Sequence, residues 1–317
     1  MRILITGVTG FAGCHLLSFL GETKLGKLRI VGLSRRGKFL PGFEHLSRTI
    51  RLERDDLQSV GHLLKLLRAE KPDRIFHFAG YTDAARSFRE PAAAWQGNWR
   101  TAFTLFRAIQ RWGARPRVLV ASSAAVYGNS VDAVTEESTL LPVSPYGVSK
   151  AAADLLAGQA FLSDGIPTVR ARLFNVCGPG LPSTFALGAF VSQIVAIERG
   201  QRPPVLKVGD LTAERDYLPI RVVVRAYWDL VEKGVPGDAY NLASGKTYPM
   251  RQLLNQMLKL ANQSIQIEPD PSRLRGTEVM RSNVDVSKLR RAIGWRPSLA
   301  VRQDLQEMLE HARWHQR

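Results

Sequence analysis

Five residues, Arg2-Ile3-Leu4-Ile5-Thr6, run straight into Gly7-Val8-Thr9-Gly10-Phe11-Ala12-Gly13, and no other feature restricts the fold of this chain more. A short aliphatic run that ends in a glycine turn reads as a buried strand. Glycines at the first, fourth and seventh positions permit a tight turn, close approach of backbone N–H groups to a phosphate, and close packing of a helix on the strand. Phe11 to Leu20 reads as that helix, and its N-terminus favours an anion. Gly7, Thr9, Gly10, Phe11, Ala12 and Gly13 are therefore candidate phosphate-binding residues.

The first half of the chain continues in the same alternation. Strands are expected at Arg29 to Leu33, Thr49 to Leu52, Arg74 to Phe78, Val118 to Ala121 and Thr168 to Leu173. Helices are expected at Leu57 to Ala69, Ala92 to Arg111 and Tyr146 to Leu162. Strand–helix alternation implies a parallel sheet covered on both faces, an α/β doubly wound fold of Rossmann type. Such sheets bind ligands beyond the carboxyl ends of their strands.

After Asn175 the pattern changes. Gly178-Pro179-Gly180 and Leu181-Pro182-Ser183 break the chain. Helices are expected at Phe185 to Arg199, Arg221 to Glu232, Met250 to Ala261 and Val301 to Trp314, with short strands near Val205 to Val208 and Ala239 to Leu242. This reads as a smaller α/β substrate lobe over the sheet's carboxyl edge. The expected division is 1–174 plus about 218–242 for the sheet domain, and 175–217 with 243–317 for the lobe.

Composition narrows the class. The 317 residues are 45% hydrophobic and 23% charged, which excludes a disordered chain. No apolar stretch approaches the roughly 18 residues of a membrane helix. With six residues, Met1 to Thr6, before the glycine turn, no signal peptide is expected, and Cys14 and Cys177 have no metal-ligand spacing. Free thiols in a reducing, cytoplasmic compartment and no metal are expected. The net charge of +16 comes from 33 arginines and 11 lysines spread along the chain. No basic arm, zinc-finger spacing or aromatic RNA-binding motif accompanies it, so an anionic small molecule is expected as partner rather than a nucleic acid.

The second strand ends in Ser34-Arg35-Arg36. An NAD site usually carries an acid here for the ribose hydroxyls; a hydroxyl and two guanidiniums suit a 2′-phosphate instead. NADP(H) is the expected cofactor, with NAD(H) the alternative. Further on, Val118 to Ser123 places Ser122 and Ser123 at a strand end, and Tyr146 and Lys150 share a helix face four residues apart. A phenol with an ordinary pKa near 10 is a poor acid or base at neutral pH. A neighbouring ammonium is expected to lower it. Ser123 can hydrogen-bond a substrate oxygen that gains or loses a proton.

The glycine loop, Asp56-Leu57, Phe78-Ala79-Gly80, Ser122-Ser123, Tyr146-x-x-x-Lys150 and Arg172-Leu173-Phe174-Asn175 together resemble an extended short-chain dehydrogenase/reductase, over nearly the whole chain. That family modifies nucleotide sugars with a bound nicotinamide cofactor. The resemblance implies that Tyr146 is the acid/base, that Lys150 orients the nicotinamide ribose and that Ser123 assists. It further implies that Asp56 and Leu57 flank the adenine, that Phe78, Ala79 and Gly80 line the cofactor's path, and that Asn175 faces the substrate's phosphates. A homodimer through the two long helices, Ala92 to Arg111 and Tyr146 to Leu162, is implied in the same way.

Val208-Gly209-Asp210-Leu211-Thr212-Ala213-Glu214-Arg215-Asp216-Tyr217 resembles the Gly-Asn-Leu-Asp-x-x-Arg-Asp segment of members that take GDP-sugars. Arg275-Gly276-Thr277-Glu278 resembles their Arg-Pro-x-Glu segment, with Asp210 and Gly276 as departures. The resemblance makes Arg215 and Arg275, with Lys207 adding charge, the grip on a diphosphate, and Glu278 the partner of the nucleotide's ribose. A 4,6-dehydratase acting on GDP-mannose needs a carboxylate two residues after the catalytic serine, and that position is Ala125. The implied activity is therefore NADPH-dependent reduction of the C4 ketone of a GDP-4-keto-6-deoxy-hexose, giving GDP-rhamnose or its talose epimer. A nucleotide-sugar 4-epimerase, the GDP-mannose dehydratase itself and a UDP or dTDP sugar as substrate remain as alternatives.

Overall fold

Every strand expected in the first half forms, and all six join one sheet. The computed structural model describes residues 1–23, 25–129, 133–273 and 283–315. The strands are β1 Arg2–Thr6, β2 Arg29–Ser34, β3 Arg51–Arg54, β4 Arg74–His77, β5 Arg117–Ser123 and β6 Thr168–Leu173. Between them lie α1 Phe11–Glu22, α2 Val60–Glu70, α3 Pro91–Trp95, α4 Thr101–Trp112 and α5 Pro145–Asp164. The second half contributes β7 Asn175–Cys177, α6 Ala186–Glu198, β8 Val205–Val208, β9 Glu214–Arg215, β10 Tyr217–Pro219, α7 Ile220–Lys233, β11 Ala239–Leu242, β12 Tyr248–Pro249, α8 Met250–Leu258, β13 Gln266–Pro269, α9 Ser287–Ile293 and α10 Val301–His315.

The main sheet is seven-stranded in the order β11-β6-β5-β4-β1-β2-β3, and each of its pairings is parallel. Apolar residues cover it on both sides. One buried cluster joins α1 and α7 to the sheet through Leu16, Leu20, Val223 and Tyr227; the other joins α2, α4 and α5 through Leu63, Leu67, Leu105, Ile109 and Ala157. A third core, from α6, α8, α10 and β8, holds the smaller lobe together. By contrast α9 lies against α7 and β11, so the chain returns to the sheet domain before α10 rejoins the lobe. Register brings the functional strand ends together. Thr6 pairs with Leu33 on one side and His77 on the other, and Ser123 pairs with Leu173. The segments that follow β1, β2, β4, β5 and β6 therefore leave the sheet along one edge.

Three of the boundaries that differ from the sequence reading have a plain local reason. The helix expected from Leu57 starts at Val60, because Ser59 caps it by accepting from the His62 N–H at 3.2 Å while Leu57 takes a left-handed backbone at φ +58°. β5 runs on to Ser123, since Ser122 and Ser123 still pair with β6. The single helix expected at Ala92 to Arg111 is two helices joined by a π-helical turn at Gln96–Arg100, whose purpose lies in the site below. Short strands β7, β9, β10, β12 and β13 were not legible, since each pairs with one distant segment and carries too few residues for a period.

Candidate active site

The edge of the sheet and the smaller lobe enclose a cleft of about 2320 Å³. On its floor the glycine loop is fixed by crowding. Gly7 is left-handed at φ +69°, and a β-carbon there would come within 2.7 Å of the Ala79 nitrogen. One at Gly13 would meet the Gly7 and Val8 carbonyl oxygens at 2.5 Å. Gly10, in extended conformation, precedes α1 without any side-chain cap, and Gly10, Phe11, Ala12 and Gly13 all face the cleft. An uncapped helix start leaves N–H donors for an anion. The donors and the space above them fit the diphosphate of a dinucleotide.

At the end of β2, Ser34 is buried, while Arg35 and Arg36 are exposed on the cleft wall. Among the described residues neither arginine is ion-paired. Asp55 is already engaged, accepting from the Leu57 N–H at 2.6 Å and lying 3.0 Å from His62 Nδ1; Asp56 accepts from the Gln58 N–H at 3.1 Å. Asp56, Leu57 and Phe78, Ala79 and Gly80 line the same wall.

Ser123, Tyr146 and Lys150 meet at the centre. α5 starts with Ser144 as its cap and Pro145 at its first position. The Tyr146 N–H donates to Ser87 Oγ at 3.1 Å, and a β-carbon at Gly147 would lie 2.7 Å from the Ala125 carbonyl oxygen. The helix therefore presses directly on the loop after β5, which sets the phenol beside the Ser123 hydroxyl. Burial pushes the Tyr146 phenol up, with the Ser123 hydroxyl opposing the shift. The Lys150 ammonium does not lower it as the spacing suggested. Lys150 Nζ instead donates to the Ala121 carbonyl at 2.9 Å, and burial draws its own pKa down to about 8, against the pull of Asp154.

Several residues around this centre were given no role by the sequence reading. Asn98 lies in the π-helical turn. Its carbonyl accepts from the Tyr81 N–H at 2.9 Å and its amide donates to Ser149 Oγ at 2.9 Å. Widening the helix there aims one buried amide at two segments of the site, and only an asparagine amid a helical run hinted at it. His77 Nδ1 lies 2.8 Å from Thr6 Oγ1, and burial near Lys150 lowers its pKa to about 3. One turn beyond Lys150, Asp154 receives Arg172 through Nε and Nη2 at 3.0 Å each, and Arg172 also donates to the Tyr127 hydroxyl at 2.9 Å. This buried pair holds α5 against β6.

The lobe side is basic. Lys207 and Arg215 line the cleft, and so does Arg273, which the motifs did not single out. Lys207 is 3.9 Å from Glu268, and Arg215 donates to the Glu214 carbonyl at 3.1 Å. Asn175 faces the cleft and donates to the Asp216 carbonyl at 3.0 Å. Asp216 is no surface ion-pair partner. It is fully buried and accepts from the N–H groups of Ser244 and Gly245 at 2.9 and 2.7 Å. Arg275 and Glu278 lie outside the described residues. Among the described residues no helix is long and apolar enough to cross a membrane, and Cys14 and Cys177 are free and buried.

Comparison with known proteins finds relatives over nearly the whole chain. The profile of the GDP-mannose 4,6 dehydratase family matches residues 4–308. The GDP-6-deoxy-D-mannose reductase of Pseudomonas aeruginosa is 32% identical over 311 residues, covering 97% of this chain and 96% of that one. The GDP-mannose 4,6-dehydratase of Sinorhizobium fredii is 27% identical over 96% of this chain and 95% of its own. Among solved structures, RMD from Pseudomonas aeruginosa complexed with NADPH superposes with a TM-score of 0.85 at 30% identity, covering 98% of each chain.

Proposed function

The chain belongs to the GDP-mannose 4,6-dehydratase family, and on that premise we propose that it is an NADPH-dependent 4-ketoreductase of a GDP-4-keto-6-deoxy-hexose. The observation that carries this reading is Ala125. Dehydration of a hexose needs a base to move a proton at C5 and C6, and here a methyl group stands two residues beyond Ser123. The carboxylates among the described cleft residues are Asp55, Asp56, Glu90 and Asp210, none of them on β5 or the turn after it. Glu136, on a later loop, is held by the Asn241 N–H at 2.8 Å. Reduction of a ketone needs no such base.

When bound, the reduced nicotinamide supplies the hydride equivalent at C4. Tyr146 gives its phenolic proton to the C4 oxygen, a task that suits a phenol kept protonated by burial. The Ser123 hydroxyl donates to the same oxygen as negative charge develops. Lys150 holds the nicotinamide ribose, and Arg35 and Arg36 take the 2′-phosphate. Asn175, Lys207, Arg215, Arg275 and Glu278 are assigned to the nucleotide end of the substrate. The test is loss of NADPH absorbance on adding GDP-4-keto-6-deoxy-mannose. Stoichiometric oxidation supports the ketoreductase. Turnover of GDP-mannose with NADP⁺, or interconversion of C4 epimers on retained NAD, overturns it.

A homodimer through α5 belongs to the same proposal. Val148, Leu155 and Leu162 recur every seven residues along that helix and are 46%, 58% and 82% exposed. Alongside, Trp95, Trp99 and Phe103 stack at 5.2 and 5.1 Å. A second copy of this face is the occupant that matches it. Leu155→Asp with Leu162→Asp is expected to give a monomer by sedimentation, and a wild-type monomer refutes the assignment.

A further inference from the structure

Arg35 and Arg36 stand on a turn crowded with like charge. Both are exposed, Lys38 follows them, and Arg54 packs over Gly37, its Cγ 3.6 Å from where a β-carbon would sit. Four cations gather here, and the carboxylates of Asp55 and Asp56, which follow Arg54, are turned to backbone N–H groups. Like charges on a short loop repel, and flexible guanidiniums lose much entropy when they settle on a phosphate.

Ser34 ties that turn down. It is 4% exposed, its Oγ is 2.6 Å from Thr9 Oγ1 of the glycine loop, and it accepts from the Gly37 N–H at 3.0 Å. Its backbone carbonyl accepts from the Asp55 N–H at 3.2 Å. One buried hydroxyl thus joins the diphosphate turn, the first residue after the arginine pair, and the strand end itself. We infer that Ser34 is a positioning residue for cofactor choice: through Thr9 and Gly37 its hydroxyl locks the turn that presents Arg35 and Arg36, and so sets the preference for a 2′-phosphorylated adenosine. This rests on the NADPH reading above.

The lock has a signature that direct contact with the phosphate lacks. A contact made by Ser34 alone would not depend on Thr9, whereas a lock fails when either hydroxyl is removed. The experiment is calorimetric binding of NADPH, NADH, 2′,5′-ADP and 5′-ADP to wild type, Ser34→Ala, Ser34→Thr, Thr9→Val and the Thr9→Val/Ser34→Ala double variant. Ser34→Ala and Thr9→Val should each reduce the NADPH-over-NADH and 2′,5′-ADP-over-5′-ADP ratios about tenfold. The double variant should lose no more of either ratio than the single ones, and Ser34→Thr should keep the preference. Equal weakening of both cofactors, or loss with Ser34→Ala but not Thr9→Val, overturns the lock. A wild-type preference that survives both substitutions overturns it alone. A wild type with no preference overturns the NADPH reading as well.

Discussion

Lys150 Nζ donates to the Ala121 carbonyl oxygen at 2.9 Å, so the ammonium is tied to β5 rather than to the phenol one helical turn before it. The two halves of the Tyr-x-x-x-Lys pair are thereby tuned separately. Burial raises the phenol and lowers the ammonium, leaving a protonated acid beside a cation that titrates close to neutral pH.

Replacing Tyr146 by Phe removes the proton donor and little else, because the ring stays. Turnover should fall by about 10² to 10⁴ while NADPH binding is largely retained. Near-normal turnover in the variant refutes the assignment.

The Lys150 charge is complete below its pKa of about 8 and is lost as pH rises through that value. Cofactor binding and the reductive rate should therefore decline above about pH 8. In Lys150→Arg the guanidinium stays charged, so any residual activity should lack that limb. A limb at the same pH in both proteins would assign it to another group.

Arg35→Ala together with Arg36→Ala should erode the preference for NADPH over NADH with little effect on NADH itself. If the ratio of the two affinities does not move, the 2′-phosphate binds elsewhere.

Asn98→Ala leaves the Tyr81 N–H without its acceptor next to the site. Stability should drop by about 1–3 kcal/mol. The rate should suffer beyond what that loss explains, since the amide oxygen lies against Gly80, 2.6 Å from where a β-carbon would sit, on the wall of the cleft. Denaturant melts combined with kinetics at low temperature check both parts.

His15 packs between Phe11 and Phe43 at 5.0 and 4.8 Å, with Nε2 2.8 Å from the Pro179 carbonyl oxygen. Burial lowers its pKa to about 4 from the ordinary 6.5, with His311 adding to the shift. The folded state thus holds the ring neutral. Its contribution to stability is complete above pH 6.5 and is lost as pH falls to about 4, where the unfolded chain binds one more proton. His15→Phe should flatten the pH dependence of unfolding in that window by up to about 1.4 kcal/mol per pH unit. An unchanged slope would mean that the ring is protonated in the native state.

Much of the site was legible because each signal lies within one segment. Tyr146 and Lys150 are one turn apart on one helix, the three glycines span one turn, and Ala125 is read directly against Ser123. The rest involves pairs far apart in the chain. Asn98 reaches Tyr81 and Ser149 only because a π-helical turn interrupts what reads as one helix, and Arg172 reaches Asp154 across two elements. Nor did spacing forecast the shift of Tyr146, since i, i+4 places two side chains on one face without saying what else competes for the ammonium.

By itself the sequence determined the parallel sheet, the helices on its faces, the glycine turn and which side chains are candidates for catalysis. Those follow from short aliphatic runs that alternate with helical periods of 3.6 residues, and from glycine's freedom at Gly7. Only the tertiary structure decided which partner each polar group takes: Ala121 for Lys150, Thr9 for Ser34, the Ser244 and Gly245 N–H groups for Asp216. Burial removes water as the competing partner, so those choices, and the pKa shifts that come with them, depend on which distant segment happens to lie within three ångströms.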